Sequence, residues 1–483
     1  MVGAVLPMET TSPSRRTNLV AIALSVGAAC TGAPVDSGTD TDTAPAASVT
    51  WNNRIGPLIN ERCAACHQEG RNELVLTSYE QVSAVAGLAY EKMAGSGDAP
   101  YVMPPWPIPD SDSCKPPQPW LDDLRVRPEE LEAVRAWIDA GLPLGDAAEP
   151  IVTPPPLGLS GERTEALPSV NYTVPVRDGP SPDHTRCFSL PAGRTEEAGW
   201  LDALYLQNPG EMIHHIIVAS DPDGSSAAAD APPDAPAECS PTAITDGQML
   251  FTWISDTGPF VLPADSGMYL PVGARIVLAV HYHTLDVEQH DDTQLIVRWT
   301  DGKPKYRAWM DRFGGADDGQ VDWTPAGYRG GWADPPFAIP ADTPDHYEQW
   351  NETWGQQDRL TDGQDEGNFA IWSVFPHMHY AGSNIKMMLK HPDGSSDCLS
   401  HIERFDFEWQ ATYPYDAPVE ELPRIAPDDE MEIQCHYNNT LENDRLRTAL
   451  LADDFEATFD MTVGEGALLE MCVMHFGVLA PEE

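Results

Sequence analysis

Two groups of residues in this chain have the types and spacing for metal or redox chemistry. The first is Cys63-Ala64-Ala65-Cys66-His67. Two thiols separated by two residues can bond both vinyl groups of one porphyrin, and the next residue places an imidazole under the iron. The motif therefore reads as a c-type haem attachment site. A structural zinc site would need a second such pair, and the sequence has none. The other axial ligand must come from farther along the chain. Met103 is the choice, because the prolines that follow it keep the segment non-helical and let a loop present a thioether. Met93 is its competitor.

The second group is spread over the last two-thirds of the chain. It comprises His214-His215, His281 in a Val280-His281-Tyr282-His283 run, His377-Met378-His379, and Met471 in Glu470-Met471-Cys472. Each lies in or beside a run of β-formers, so strands are expected there. Residues i and i+2 share one face of a strand, so His377 and His379 can grip one ion together. Adjacent His214 and His215 face opposite ways unless the strand twists, bulges or ends. A lone His beside an apolar strand is ordinarily a core or surface residue. A double His, two His-x-His pairs and few nearby cysteines together favour metal binding. Imidazole suits copper and zinc alike, whereas a thioether suits copper, above all Cu(I).

The elements around these residues can be placed. A short helix should start near Pro57, and a closing helix at Pro128, with Glu129 and Glu130 in its first turn and Leu131, Val134 and Ile138 at helical spacing; Gly141 and Pro143 stop it. The segment 49–148 resembles cytochrome c-like domains that combine CxxCH, a Met-Pro-Pro-Trp loop and a C-terminal helix. Pro150 to Pro156 reads as a linker. The stretch from Asp221 to Glu238 is Asp/Ala/Pro-rich and reads as a surface loop. Gly314 to Gly367 is acidic and holds the connection between the two ligand sets.

The segment from Leu157 to Val478 resembles the copper type II, ascorbate-dependent monooxygenases, the family of peptidylglycine α-hydroxylating monooxygenase and dopamine β-hydroxylase. The resemblance implies two coppers, the first on His214, His215 and His281 and the second on His377, His379 and Met471, with His283 the rival of His281. It implies hydroxylation of an aliphatic C–H bond of a small-molecule substrate by O2, with His377, His379 and Met471 catalytic. Electrons would come from an ascorbate-like reductant or a redox protein, and the fusion of a haem module to the same chain suggests that it relays them. It also implies disulfides Cys187–Cys239 and Cys435–Cys472. Cys114 and Cys398 are left over, either a pair across an interface or two thiols. The peptide-hydroxylating relatives have Asn after Met-Cys and Gln two residues before the His281 position. Val473 and Ala279 stand here, so peptide amidation is not expected. The alternative is a copper and haem electron-transfer protein without O2 chemistry.

The expected fold is multidomain: a small all-α cytochrome c-like domain (49–148), then two jelly-roll-like antiparallel β-sandwich domains. The three-histidine site falls in 155–305 and the two-histidine, one-methionine site in 306–483. Arg15 and Arg16 precede an apolar run from Leu19 to Ala29, which suits a signal peptide over 1–30. Gly27, Ala28 and Ala29 before Cys30 resemble the lipobox of bacterial lipoproteins, implying acylation of Cys30. Residues 31–48 then form a flexible tether, and the protein is exported to a bacterial cell envelope, held at the membrane only by its lipid. With 76 acidic and 28 basic residues the net charge is −48, which excludes a nucleic-acid partner. Forty-six Pro and 37 Gly favour a turn-rich β architecture.

Overall fold

The computed structural model describes residues 49–482 apart from 70–73, 96–101, 105–107, 109–112, 147–157, 177–182, 194–196, 227–247, 255–257, 285–286, 316–336, 354–368 and positions 211 and 465. Cys30, Cys239, the signal segment and the tether lie outside the described residues, as do Pro150 to Pro156 and most of the Asp221–Glu238 and Gly314–Gly367 stretches.

Strand patterning dominates. The Gly199–Gln207 strand alternates buried and half-buried positions, so one face is core. The Phe369–His377 strand is buried at every residue before its terminal His. Its apolar residues, Phe-Ala-Ile-Trp and then Val374 and Phe375 after Ser373, fit a strand covered on both faces. Three larger sheets result. A ten-stranded sheet orders Thr164–Ala166, Gln294–Trp299, Gly199–Gln207, Ser266–Leu270, Tyr306–Gly315, Cys472–Pro481, Phe369–His377 and Tyr413–Pro414, with two short strands beside this path. One four-stranded sheet orders Asp183–Pro191, Arg275–His283, Ile213–Asp221 and Met249–Ile254. Another orders Thr343–Thr353, Glu430–Asn439, Gly382–Lys390 and Ser396–Ile402.

The expected fold class is overturned. Strand accounts for 42% and helix for 17%, in several sheets, and no small all-α domain stands by itself. Residues Val49–Glu483 form one compact unit. The reason lies in strand register. The Tyr306–Gly315 strand pairs in parallel with Ser266–Leu270 on one side and along its whole length with Cys472–Pro481 on the other. It thereby fuses the halves into a single sheet over one apolar core that runs from Ile108 to Ala480.

The helices carry their own small core. Gly56–Arg62 and Pro128–Asp139 form where the prolines place them, each with Pro in the first turn. The Arg127 N–H donates to Glu130 Oε2 at 2.9 Å, and the fully buried Trp137 donates to Pro143 O at 3.1 Å. Trp51, Ile55 and Trp137 pack there with Val134.

Residues 113–121 bind this part to the sheets. Cys114 is bonded to Cys398 on the Ser396–Ile402 strand, which settles the pairing that sequence left open. Trp120 stacks on Tyr415 at 4.7 Å. Leu121 N donates to Pro414 O and Asp416 N to Pro119 O, both at 2.8 Å. The bond closes a loop of 284 residues. Replacing both cysteines with Ser should therefore cost roughly 2–4 kcal/mol. Urea unfolding with the midpoint unmoved would remove this role.

Candidate metal and haem sites

The motif Cys63–His67 follows directly on the Gly56–Arg62 helix, and His67 N donates back to Cys63 O at 2.9 Å. Neither cysteine is in a disulfide. Burial, with Cys66 beside it, pushes the Cys63 thiol up to about 12. Redox-active pairs have depressed thiols, so the raised Cys63 argues against disulfide exchange. His67 Nδ1 lies 2.9 Å from Leu74 O. Donation to that carbonyl leaves Nε2 as the free ligand atom, the arrangement that metal-bound imidazoles adopt.

The thiols, His67, Met93 and Met103 all line one cavity of about 650 Å³, a volume in the range of cofactor sites. The donor set fits a c-type haem. Both candidate thioethers face the space, the expected Met103 and its competitor Met93. The far wall comes from the sheets: Phe251, Phe260, Trp372 and Gln410. Trp372 stands on the doubly covered Phe369–His377 strand, and Gly477 opposite it has no room for a Cβ beside that indole.

The three-histidine cluster forms on one four-stranded sheet. The register between Ile213–Asp221 and Arg275–His283 shifts between Ile213 and His215, and His215 then stands opposite His281. This is the irregularity that two adjacent ligating histidines require. One ligand nitrogen from each of His214, His215 and His281 falls within 4.8 Å of the others. The Nδ1 atoms of His214 and His215 lie 3.1 Å apart, and those of His281 and His215 3.4 Å. Burial and the surrounding imidazoles hold His215 well below its ordinary range, so it stays neutral, as a metal ligand must be. The side chain of His283 lies outside the described residues.

His377 closes the Phe369–His377 strand, and His379 lies just beyond its end, so the expected shared strand face is replaced by a turn. Their ring centroids are 5.0 Å apart. Each ring is oriented through Nδ1, His377 by Gln410 Oε1 at 2.6 Å and His379 by Leu469 O at 3.0 Å. Each thereby keeps Nε2 free. Burial lowers both, His377 to about 4.

Met471 precedes the Cys472–Pro481 strand, whose Val473 pairs with His377, so the register brings the methionine to the same end. Cys472 is bonded to Cys435, and Tyr437 Oη donates to Met471 O at 2.8 Å. The buried Glu470 carboxylate accepts from four backbone N–H groups: His379 at 2.9 Å, Ala381 at 2.7 Å, and Gly382 and Met471 at 3.2 Å. Glu470 thus ties the His-x-His turn to the Met471 loop.

Phe407 packs against both clusters, 4.7 Å from His214 and 5.4 Å from His379 between ring centroids. Sequence reasoning missed Phe407, Gln410 and the anchoring role of Glu470, because none carries a ligand-type spacing. It passed over His475, whose ring lies 6.4 Å from that of His377 and whose buried Nδ1 has no hydrogen-bond partner among the described residues. A His two residues after Val473, on the face that meets Phe375, was the available signal. Cys187 is disulfide-bonded, while its expected partner Cys239 lies outside the described residues.

The depressed histidines make the metal-free protein acid-sensitive. Their folded pKa values lie below the unfolded value of 6.5. The unfolded chain therefore binds more protons, and stability falls as pH drops from about 6.5 to about 4. Denaturant midpoints across that window, with chelator present, should decline on acidification; a flat profile would contradict the buried neutral imidazoles.

No family model matches the chain. DBH-like monooxygenase protein 1 of Gallus gallus is 23% identical over 307 residues, covering 60% of this chain and 46% of that protein. The chain thus spans about half the length of the curated relative it matches. Among solved structures, the major capsid protein P2 from Bacteriophage PM2 aligns with a TM-score of 0.27 at 10% identity, over 66% of this chain and 98% of that one. Allantoicase aligns with a TM-score of 0.15 at 9% identity, over 52% and 77%.

Proposed function

We propose that the chain is an exported, copper-dependent monooxygenase that hydroxylates an aliphatic C–H bond of a small-molecule substrate with O2. The observation that carries this reading is the convergence of His214, His215 and His281 to within 4.8 Å, beside a second histidine pair across one aromatic ring. The similarity to a DBH-like monooxygenase supports it.

In this reading His214, His215 and His281 hold one copper, and His377, His379 and Met471 hold the other. Cys63, Cys66 and His67 would hold a c-type haem, with Met103 or its competitor Met93 as the candidate thioether ligand. When bound, the coppers would supply the redox chemistry for O2 activation, which puts one oxygen atom into the C–H bond and releases the other as water at the cost of two electrons and two protons. Three imidazoles would suit copper in either oxidation state, and the thioether of Met471 would favour Cu(I). The protein's part is preorganisation. Burial keeps the imidazoles neutral, Gln410 and the Leu469 carbonyl aim the His377 and His379 rings, and Glu470 fixes the spacing between His379 and Met471. The electrons would come from an ascorbate-like reductant or a redox protein, and the CxxCH module fused to the same chain is the candidate relay.

Export is supported by the apolar segment before Cys30 and by the disulfides Cys114–Cys398 and Cys435–Cys472, which persist in oxidising compartments. Acylation of Cys30 would anchor the chain in a bacterial envelope.

Elemental analysis of the purified full-length protein tests the assignment: two Cu and one Fe per chain are expected. Zinc in place of copper overturns the reading. Copper and iron without substrate-dependent O2 uptake, across a panel of aliphatic and benzylic compounds, would favour electron transfer alone.

A further inference from the structure

The strand-to-loop segment after Ser396–Ile402 touches three sites within a few residues. Phe407 packs on His214 and on His379. Trp409, Gln410, Ala411 and Thr412 form part of the cavity wall opposite Cys63, Cys66 and His67. Gln410 is fixed from both ends and nearly fully buried, at 4% exposure. Its Nε2 donates to Phe407 O at 3.0 Å, which sets the amide orientation and leaves Oε1 facing His377 Nδ1 at 2.6 Å. The three-histidine cluster also reaches the cavity, through Ile254 opposite His215. That connection is an apolar side chain on a strand ladder, whereas Gln410 contacts the cavity and a ligand imidazole with one polar group.

We infer that Gln410 is the positioning residue through which the CxxCH cavity and the His377–His379–Met471 site act on one another. It holds His377 in the tautomer that turns Nε2 to the metal, and it forms the wall against which a group in the cavity packs. A group bound in the cavity presses on the same amide that sets the His377 ring, so each site reads the occupancy and charge of the other. Linkage makes such coupling reciprocal. The three-histidine site meets this segment through the Phe407 ring and not through the amide that orients His377. This inference rests on the proposed function, because it takes the cavity as the haem site and His377 as a copper ligand.

The test uses the full-length, haem-containing chain and Cu(II), with three variants. Copper titration followed by EPR should show two occupancies in the unaltered protein. Gln410→Leu, close in volume but without an acceptor, should weaken the His377 site by roughly 10–100-fold and change its EPR signature. The three-histidine copper should be unchanged in it. Gln410→Glu keeps an acceptor opposite Nδ1 and should restore the affinity, whereas the volume-matched Leu, which keeps packing but not the acceptor, should not. Ile254→Val is the control on the other connection and should leave both coppers as they are.

The second readout is the haem visible band titrated electrochemically with and without copper. Copper should shift the haem midpoint in the unaltered protein, and the shift should vanish in Gln410→Leu at copper concentrations that still fill both sites. Unaltered copper affinity and an unaltered haem shift in Gln410→Leu would overturn the inference while leaving the proposed function standing. An unaltered chain that binds no copper or no haem would instead remove the proposed function itself.

Discussion

Met471→Leu should abolish substrate-dependent O2 consumption while leaving the haem spectrum and the three-histidine copper intact. The substitution is chosen because Met471 is buried, 6% exposed, against Val473 and Val463. Leu conserves the volume and should cost less than about 1.5 kcal/mol in packing, whereas Ala would add a cavity cost of roughly 2–5 kcal/mol. What Leu removes is the soft donor. Partners outside the ligand sphere already cost roughly 10–100-fold when lost, so a direct thioether ligand should cost at least about 100-fold in turnover. Oxygen-electrode rates and copper content on the same preparation decide it. Turnover within a few-fold of the unaltered protein would take Met471 out of the ligand set.

Glu470→Gln should be the most destabilising single change at the site. The carboxylate accepts four backbone N–H bonds in a buried position. An amide has one acceptor oxygen, and its NH2 would face donors. Each buried N–H left without a partner costs roughly 1–3 kcal/mol, so a loss of about 2–4 kcal/mol is expected. The His379 turn and the Met471 loop would separate, and the second copper should be lost with them.

Local chemistry was legible in the sequence wherever one short segment suffices. Cys63, Cys66 and His67 line one cavity because five consecutive residues keep two sulfurs and an imidazole together. Pro128 and the acidic residues after it fix a helix start, since a missing N–H and a favourable charge act within one turn. The double His214-His215 could be read as needing an irregular strand, and the register shift between Ile213 and His215 supplies it.

Tertiary structure decided everything that depends on which distant segments share a register. His215 meets His281, and Val473 meets His377, only because burial of each strand's apolar face selects one pairing. The same selection runs Tyr306–Gly315 between strands of both halves, so the expected chain of separate domains closes into one unit. Gln410, Glu470, Phe407 and the Cys114–Cys398 bond carry no spacing that marks them. Their roles arise from proximity across tens to hundreds of residues, which pattern along the chain does not encode.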